Sequence, residues 1–283
     1  MYDEQWLNKI NEEFRRNNIP PMKRPFEALV RLSKDKGVSI SLSSSEAQRI
    51  FEWFEHNTKP GSHAVGALYE SCYFYDATFW TVVVPVGYGT FTPHALDALP
   101  EMPDSVKNAL MSNPASKLNY VVFWGDCVDF GYGYDDLTKL NREDKFGVQL
   151  LRAAYEELQS AKSMLLEHKI NRRAMMASRM ATEMVMKSYI AMKAGLSDQQ
   201  ARAIGHDLQK GFKRFVEVAG DNRLQALERL TSVFPGIHER YEAQGHSAVD
   251  LWLAFGFAQT LGAYLTRDFT DRNMQSRLLT SNK

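Results

Sequence analysis

The stretch Ala174–Gly195, AMMASRMATEMVMKSYIAMKAG, decides the fold of the second half of this chain. It contains no proline and no glycine before its last residue, and these two residue types most often break a helix. Methionines recur every four residues at Met176, Met180 and Met184, which marks one apolar face of a helix. The pattern predicts a long helix over about residues 172–193 that packs in a core.

The residues around this helix predict further helices joined by short connections. GHDL, Gly205–Leu208, stands where one helix ends at the glycine and Asp207 begins the next. Capping boxes at Ser197 and Ser247 mark two more helix starts. Because this half shows no strand pattern, residues 144–283 are predicted to form an all-α helical bundle.

The first half mixes helix and strand patterns. Apolar residues at helical spacing predict a helix over residues 3–17, and Ser43 with Glu46 predicts the capped start of another that reaches about residue 57. Alternating apolar and polar residues predict a strand at Val38–Leu42. Runs rich in β-branched and aromatic residues predict three more, Tyr69–Tyr75, Phe79–Val86 and Leu118–Trp124.

Two further stretches complete the predicted first half. Pro103–Met111 is interpreted as a short helix, and the glycine-rich stretch Gly125–Leu137 (GDCVDFGYGYDDL) as a loop before the domain boundary. We therefore expect an α+β chain, with a mixed α/β domain at residues 1–143 followed by a helical bundle at residues 144–283.

Bulk composition fits a folded, soluble chain of 283 residues that is 44% hydrophobic and 24% charged. Basic and acidic residues balance at 34 each, yet residues 144–283 hold 20 basic and 15 acidic residues. This surplus of five positive charges (20 − 15) favours phosphate-bearing partners, and chance unevenness explains it equally well.

Two cysteines without framework spacing and an N-terminus without signal-peptide features predict a cytoplasmic location. The apolar run Leu251–Leu265 is shorter than the roughly 20 residues of a membrane helix, so no membrane association is expected.

Three segments of the second half resemble one known family. Ala177–Gly195 (ASRMATEMVMKSYIAMKAG) resembles the second helix of the HEPN domain, and GHDL resembles the histidine, aspartate, leucine junction of one HEPN branch. Glu239–Gln244 (ERYEAQ) is similar to the tyrosine-containing turn that follows. The resemblance covers about residues 144–268 and implies a HEPN-like helical bundle, a homodimer, and RNA or a nucleotide as the partner.

The resemblance also implies a catalytic pair. Many HEPN proteins are metal-independent ribonucleases in which a histidine follows an arginine after four to six residues, and Arg240 and His246 have that spacing. A neutral imidazole can take the proton of a ribose 2′-hydroxyl while a guanidinium neutralises the phosphate, so no metal and no other cofactor is expected. Tyr241 departs from the family pattern, which has a polar residue directly after the arginine.

A second set of candidate site residues is Arg202, His206 and Asp207. His206 lies in the better-matching motif, although Arg202 and His206 are one residue closer than the catalytic pattern requires. His206 has a structural interpretation too, in which it bonds backbone groups at the helix junction. Arg240 and His246 are likewise ordinary residues for a polar loop.

Three functions stay open at this point. The first is RNA cleavage or RNA binding at the arginine and histidine pair. The second is a non-enzymatic HEPN module that binds a nucleotide or docks a partner protein such as a nucleotidyltransferase. In the third, chemistry belongs to residues 1–143, around His94 and the stretch Asp126–Asp136, and the helical half only dimerises the chain.

Overall fold

The computed structural model describes residues 3–37, 40–41, 44–58, 67–86, 94–139, 145–236 and 245–280. Its contacts divide the chain into two compact units, Met1–Gly66 and Ala67–Lys283. Each unit has its own cluster of buried apolar residues. The chain is therefore mostly helical, with one small antiparallel sheet in the second unit.

The described residues of the first unit form three α-helices. They are α1 (Glu4–Arg16), α2 (Arg24–Lys36) and α3 (Ser45–Asn57), with a 3₁₀ turn at Pro21–Lys23. Helix α1 confirms the predicted helix over residues 3–17. The N-cap of α3 is Ser44, whose side chain accepts a hydrogen bond from the Ala47 amide, whereas the sequence pointed to Ser43.

Some predicted features of the first unit lie outside the described residues. Ser43 is one of them, and most of the predicted strand Val38–Leu42 is another. Of that strand only residues 40 and 41 are described, and neither is part of a helix or a strand.

The second unit begins with a β-hairpin. Strands β1 (Tyr69–Tyr75) and β2 (Thr78–Val84) pair antiparallel, so two of the four predicted strands are confirmed. Asp76 and Ala77 form the turn and both have positive φ, 52° and 58°, as a tight hairpin turn requires. After the hairpin come a 3₁₀ turn at Ala95–Ala98 and α4 (Asp104–Ser112), which confirms the predicted short helix.

Helix α5 (Pro114–Lys139) overturns two predictions at once. The predicted strand Leu118–Trp124 and the predicted loop Gly125–Leu137 are one continuous helix. The apolar run has residues on every face because elements pack against α5 from several sides. These elements are β1, α4 and three later helices, Phe146–Leu165, Ala248–Phe269 and Met274–Thr280. The glycines that suggested a loop are close-packing positions: a Cβ atom on Gly131 would lie 2.6 Å from the Cβ atom of Tyr69.

The helices of the second half follow the predicted order. They are α6 (Phe146–Leu165), α7 (Ala174–Ala194), α8 (Asp198–Ile204), α9 (Leu208–Ala219) and α10 (Ala248–Phe269), with a 3₁₀ helix at Asn222–Val233 between α9 and α10. Both predicted capping boxes are present, at Ser197 and at Ser247. Helix α7 packs along α6, α9 and α10 and so forms the centre of the bundle. None of the helices in the described ranges is long and apolar enough to cross a bilayer.

The segment after Thr270 carries no helix signal in the sequence, which predicts a frayed or irregular tail. The structure has a last helix there, α11 (Met274–Thr280). It packs on α5, and the carboxylate of Asp129 accepts hydrogen bonds from the backbone amides of Met274 and Gln275 at 2.6 and 3.2 Å. A capping carboxylate supplied by another helix is a long-range interaction, which explains why the local sequence gave no signal of it.

The predicted boundary between residues 143 and 144 lies outside the described residues, in the segment 140–144. By contacts, the chain divides instead between residues 66 and 67. The physical reason is the shared core: Tyr69, Phe130, Leu151 and Phe255 belong to one buried cluster that joins the hairpin and α5 to the helical bundle.

Candidate functional site

Three charged residues of α7 form the centre of the candidate site. Arg179, Glu183 and Lys187 are spaced four residues apart, so they lie on one face of the helix. Their side chains are only 5%, 7% and 11% exposed. Buried charges require partners, because transfer from water is costly. The four-residue spacing of Glu183 and Lys187 in the sequence predicts an intrahelical ion pair worth a few tenths of a kcal/mol. The pair is present and it is buried.

Glu183 is the hub of this cluster. Its Oε1 atom lies 2.7 Å from Lys187 Nζ, and its Oε2 atom lies 3.6 Å from Nη1 of Arg179. The Nδ1 atom of His206 lies 3.1 Å from both carboxylate oxygens. One carboxylate therefore faces two cations and an imidazole.

Arg179 ties the cluster to two loops. Its Nη2 atom donates to the backbone carbonyl of His206 at 2.6 Å, and its Nε atom donates to the carbonyl of Pro235 at 3.0 Å. Burial lowers the pKa of Arg179, while the carboxylates of Glu183 and Asp207 raise it. Its Nη1 atom has no hydrogen-bond partner in the described part of the chain. Arg179 thus fixes the junction that carries His206.

His206 stands between α8 and α9. Helix α8 ends at Gly205, whose φ of 68° suits a glycine, and Asp207 caps α9 by accepting a hydrogen bond from the Lys210 amide at 3.0 Å. The His206 ring contacts a side-chain carboxylate, not the backbone groups that the structural interpretation from the sequence assigned to it, and a catalytic role of His206 stays a prediction. The backbone carbonyl of His206 is bonded to Arg179, whereas its ring faces the Glu183 carboxylate and is 57% exposed.

A cavity of about 810 Å³ opens beside His206. Its lining includes Arg179, Asp207, Arg229, Ser232 and Gly236, which come from α7, from the start of α9 and from the 3₁₀ helix and the residues after it. Arg202, the third residue of the predicted secondary set, is exposed on α8 and does not line this cavity.

His246 lines a different cavity, of about 780 Å³. It lies directly before α10, where Ser247 and Asp250 form the capping box, and the Ser247 hydrogen bonds lower the pKa of Asp250. The loop between α6 and α7 also lines this cavity, with His168, Lys169 and Arg172 and with the carboxylate of Glu167. Two imidazoles and two cations therefore share one cavity.

The other member of the predicted catalytic pair, Arg240, lies outside the described residues. The same holds for Tyr241 and for the whole turn Glu239–Gln244. The pairing of Arg240 with His246 therefore stays a prediction.

The acidic stretch Asp126–Asp136 is part of α5, so it is no loop around a cavity at His94. Asp126 and Asp129 are almost fully buried, and Arg267 of α10 donates to both, at 2.5 and 2.7 Å. Gln275 and Thr260 add side-chain hydrogen bonds to Asp126. These carboxylates therefore link α5 to α10 and α11.

Sequence reasoning missed several residues of the two cavities, namely Arg179, His168, Lys169, Arg172 and Arg229. One signal was present: charges at Arg179, Glu183 and Lys187 on a helix rich in small and apolar residues indicate a buried ionic cluster. The loop residues carried no such signal, because exposed cations are common in loops.

The described side chains include no group of three His, Cys, Asp or Glu residues that could hold a metal ion. Both cavities instead offer imidazoles and guanidinium groups, which act through proton transfer and charge. Comparison of the chain with models of protein families, with curated proteins and with solved structures finds no match.

Proposed function

We propose that this chain is a HEPN-type protein that binds and cleaves RNA without a metal, working at the cavity lined by His246. One observation carries the proposal: His246 shares that cavity with a second imidazole, His168, and with the cations Lys169 and Arg172. Lys169 and Arg172 are exposed and form no ion pair within the described ranges. An anionic chain is the partner that such a surface attracts.

Two imidazoles suffice for the chemistry. One neutral ring takes the proton of a ribose 2′-hydroxyl, whose oxygen attacks the adjacent phosphorus and forms a 2′,3′-cyclic phosphate. The other ring, protonated, gives its proton to the departing 5′-oxygen, so that one proton is taken and one is given. Lys169 and Arg172 offset the charge that gathers on the phosphate oxygens. Arg240 would add a further guanidinium, as the family resemblance implies.

The test is cleavage of a single-stranded RNA by the full chain in the presence of excess chelator. We expect products that end in a 2′,3′-cyclic phosphate, and a rate that falls about 100-fold or more in His246→Ala and in Arg240→Ala. His168→Ala should have an effect of similar size. His56→Ala, which removes an exposed histidine of α3, is the matched control and should cleave at the wild-type rate. Equal inertness of the wild type and the Arg240→Ala, His246→Ala double variant would overturn cleavage.

Binding without cleavage is the second candidate, favoured by the same two cations. In that case the wild type retains RNA or a nucleotide in low salt and releases it as salt rises, with no product formed. Lys169→Ala with Arg172→Ala should weaken retention about tenfold or more. The homodimer that the resemblance implies is tested separately, by sedimentation of the wild type.

A further inference from the structure

The hydrogen bond between His206 and Glu183 fixes which ring nitrogen carries a proton. An ionised carboxylate can only accept hydrogen bonds, so the Nδ1 atom, 3.1 Å from both Glu183 oxygens, must be the donor. A neutral imidazole has one donor and one acceptor nitrogen. The Nε2 atom of His206 therefore keeps its lone pair, and ring geometry directs it away from Glu183.

Besides His206, two cations face the Glu183 carboxylate. Lys187 Nζ lies 2.7 Å from the carboxylate and Arg179 Nη1 lies 3.6 Å from it. The three α7 side chains are buried, whereas the His206 ring is 57% exposed. The buried ion pairs thus hold the Glu183 carboxylate in place, and the imidazole that contacts it is exposed to solvent.

The cavity next to the ring offers a cation as well. Arg229 lines the same cavity as His206, is exposed, and forms no ion pair with any residue in the described ranges. A basic nitrogen and a guanidinium in one cavity suit a ligand that has a hydroxyl group next to an anionic group. The cavity volume of about 810 Å³ is large enough for a nucleotide-sized molecule.

We infer that the His206 cavity is a second binding site, which takes a phosphate monoester with a neighbouring hydroxyl. In it, Nε2 of His206 accepts the hydroxyl hydrogen bond and Arg229 pairs with the phosphate. Glu183 acts as the positioning residue that holds the tautomer, and Arg179 holds the loop. This site is separate from the His246 cavity and does not depend on RNA cleavage there.

The tautomer is tested first, in the wild-type protein at about pH 8, by correlating the ring nitrogens and carbon-bound protons of ¹⁵N-labelled histidine. We expect the proton of His206 on Nδ1 and an unprotonated Nε2. A proton on Nε2 as the dominant form would overturn the arrangement. No variant is needed, so loss of folding cannot obscure the result.

Ligand binding is tested in the His246→Ala background, which separates this site from the proposed RNA site. The probes are adenosine 3′-monophosphate and 2′-deoxyadenosine 3′-monophosphate, which differ only in the hydroxyl beside the phosphate. We expect the ribonucleotide to shift the His206 ring signals and to bind about tenfold or more tightly than the deoxynucleotide. Equal affinity of the two probes would overturn the assignment.

The role of Arg229 has its own matched control. Arg229→Ala should weaken binding of the ribonucleotide about tenfold, whereas Arg214→Ala, which removes an exposed arginine paired with Glu217 on α9, should leave it unchanged. Binding that is insensitive to Arg229→Ala would contradict the site. A parallel titration with glycerol 2-phosphate shows whether the base contributes to binding. A site for any phosphate monoester with a neighbouring hydroxyl binds both compounds, whereas a nucleotide site binds only adenosine 3′-monophosphate.

Discussion

Asp126 is a carboxyl group buried at 2% exposure in the middle of α5. Burial raises its pKa from 3.8 to about 6, while the neighbouring Arg267 guanidinium opposes that rise. A group whose pKa is higher in the folded state binds protons more tightly when folded. Asp126 therefore stabilises the fold fully at pH values below its pKa in the unfolded state. This stabilisation is lost as the pH rises through its pKa in the folded state.

We therefore expect the stability of the wild type relative to Asp126→Asn to fall as the pH rises from about 4 to about 7. A difference of about two pKa units corresponds to about 3 kcal/mol at most. Urea unfolding of both proteins at steps of pH measures this, because asparagine does not titrate and the other groups cancel in the difference. A stability difference that stays constant over this range would contradict the prediction.

At the same scale, the sequence predicted the Glu183–Lys187 contact but not its burial. Pairing of residues four apart follows from helix geometry alone. Burial depends on α9 and α10, which pack against α7, and on the chain at Pro235, all of which are distant in sequence. The His206–Glu183 contact, whose partners are 23 positions apart in sequence, could not be predicted for the same reason.

Helices whose starts are marked by local hydrogen bonds were predicted well, and α5 was not. Ser197 and Ser247 cap their helices with side chains that bond three residues away, which a sequence shows directly. In α5 the apolar run Leu118–Trp124 has no helical period, because the helix is covered on several sides. Short apolar runs of this kind fit a buried strand and a buried helix equally well.

The glycines of α5 provide a test at the level of the element. A Cβ atom on Gly131 would lie 2.6 Å from Tyr69, and one on Gly133 would lie 2.5 Å from Thr266. We expect Gly131→Ala and Gly133→Ala each to destabilise the protein by about 1–3 kcal/mol through overpacking. The measurement is the shift of the urea midpoint.

Gly256 in α10 is the matched control for these substitutions. Its nearest neighbour outside its own backbone, the Trp252 side chain, would lie 3.9 Å from a new Cβ atom. Gly256→Ala should therefore stabilise the protein by up to about 1 kcal/mol, since alanine favours a helix over glycine. If all three variants behave alike, close packing at α5 is not the reason for its glycines.

On the scale of the whole molecule, the chain has two separate cores. The core of residues 1–66 is built by α1, α2 and α3, with Phe14, Ile50 and Phe54 fully buried. The core of residues 67–283 joins the hairpin, α5 and the bundle. A unit that buries its own apolar cluster is expected to fold alone.

We accordingly expect residues 67–283 to fold without the first unit. The fragment should show helical circular dichroism and a cooperative thermal transition within a few degrees of the matching transition in the full chain. A fragment that begins at residue 144, the boundary favoured by the sequence, lacks α5 and the hairpin and serves as the contrast. Cooperative unfolding of that shorter fragment with unchanged midpoint would show that the division at residue 66 is not the relevant one.

The ion pairs between α5 and α10 also determine when α5 can pack during synthesis of the chain. Asp129 and Arg267 are 138 residues apart in sequence, so α5 leaves the ribosome long before its counterion exists. Until then the buried carboxylates of Asp126 and Asp129 lack the guanidinium that offsets the cost of leaving water. Nascent chains stalled ahead of Arg267 should accordingly keep α5 open to proteases, and chains stalled well beyond it should protect the helix.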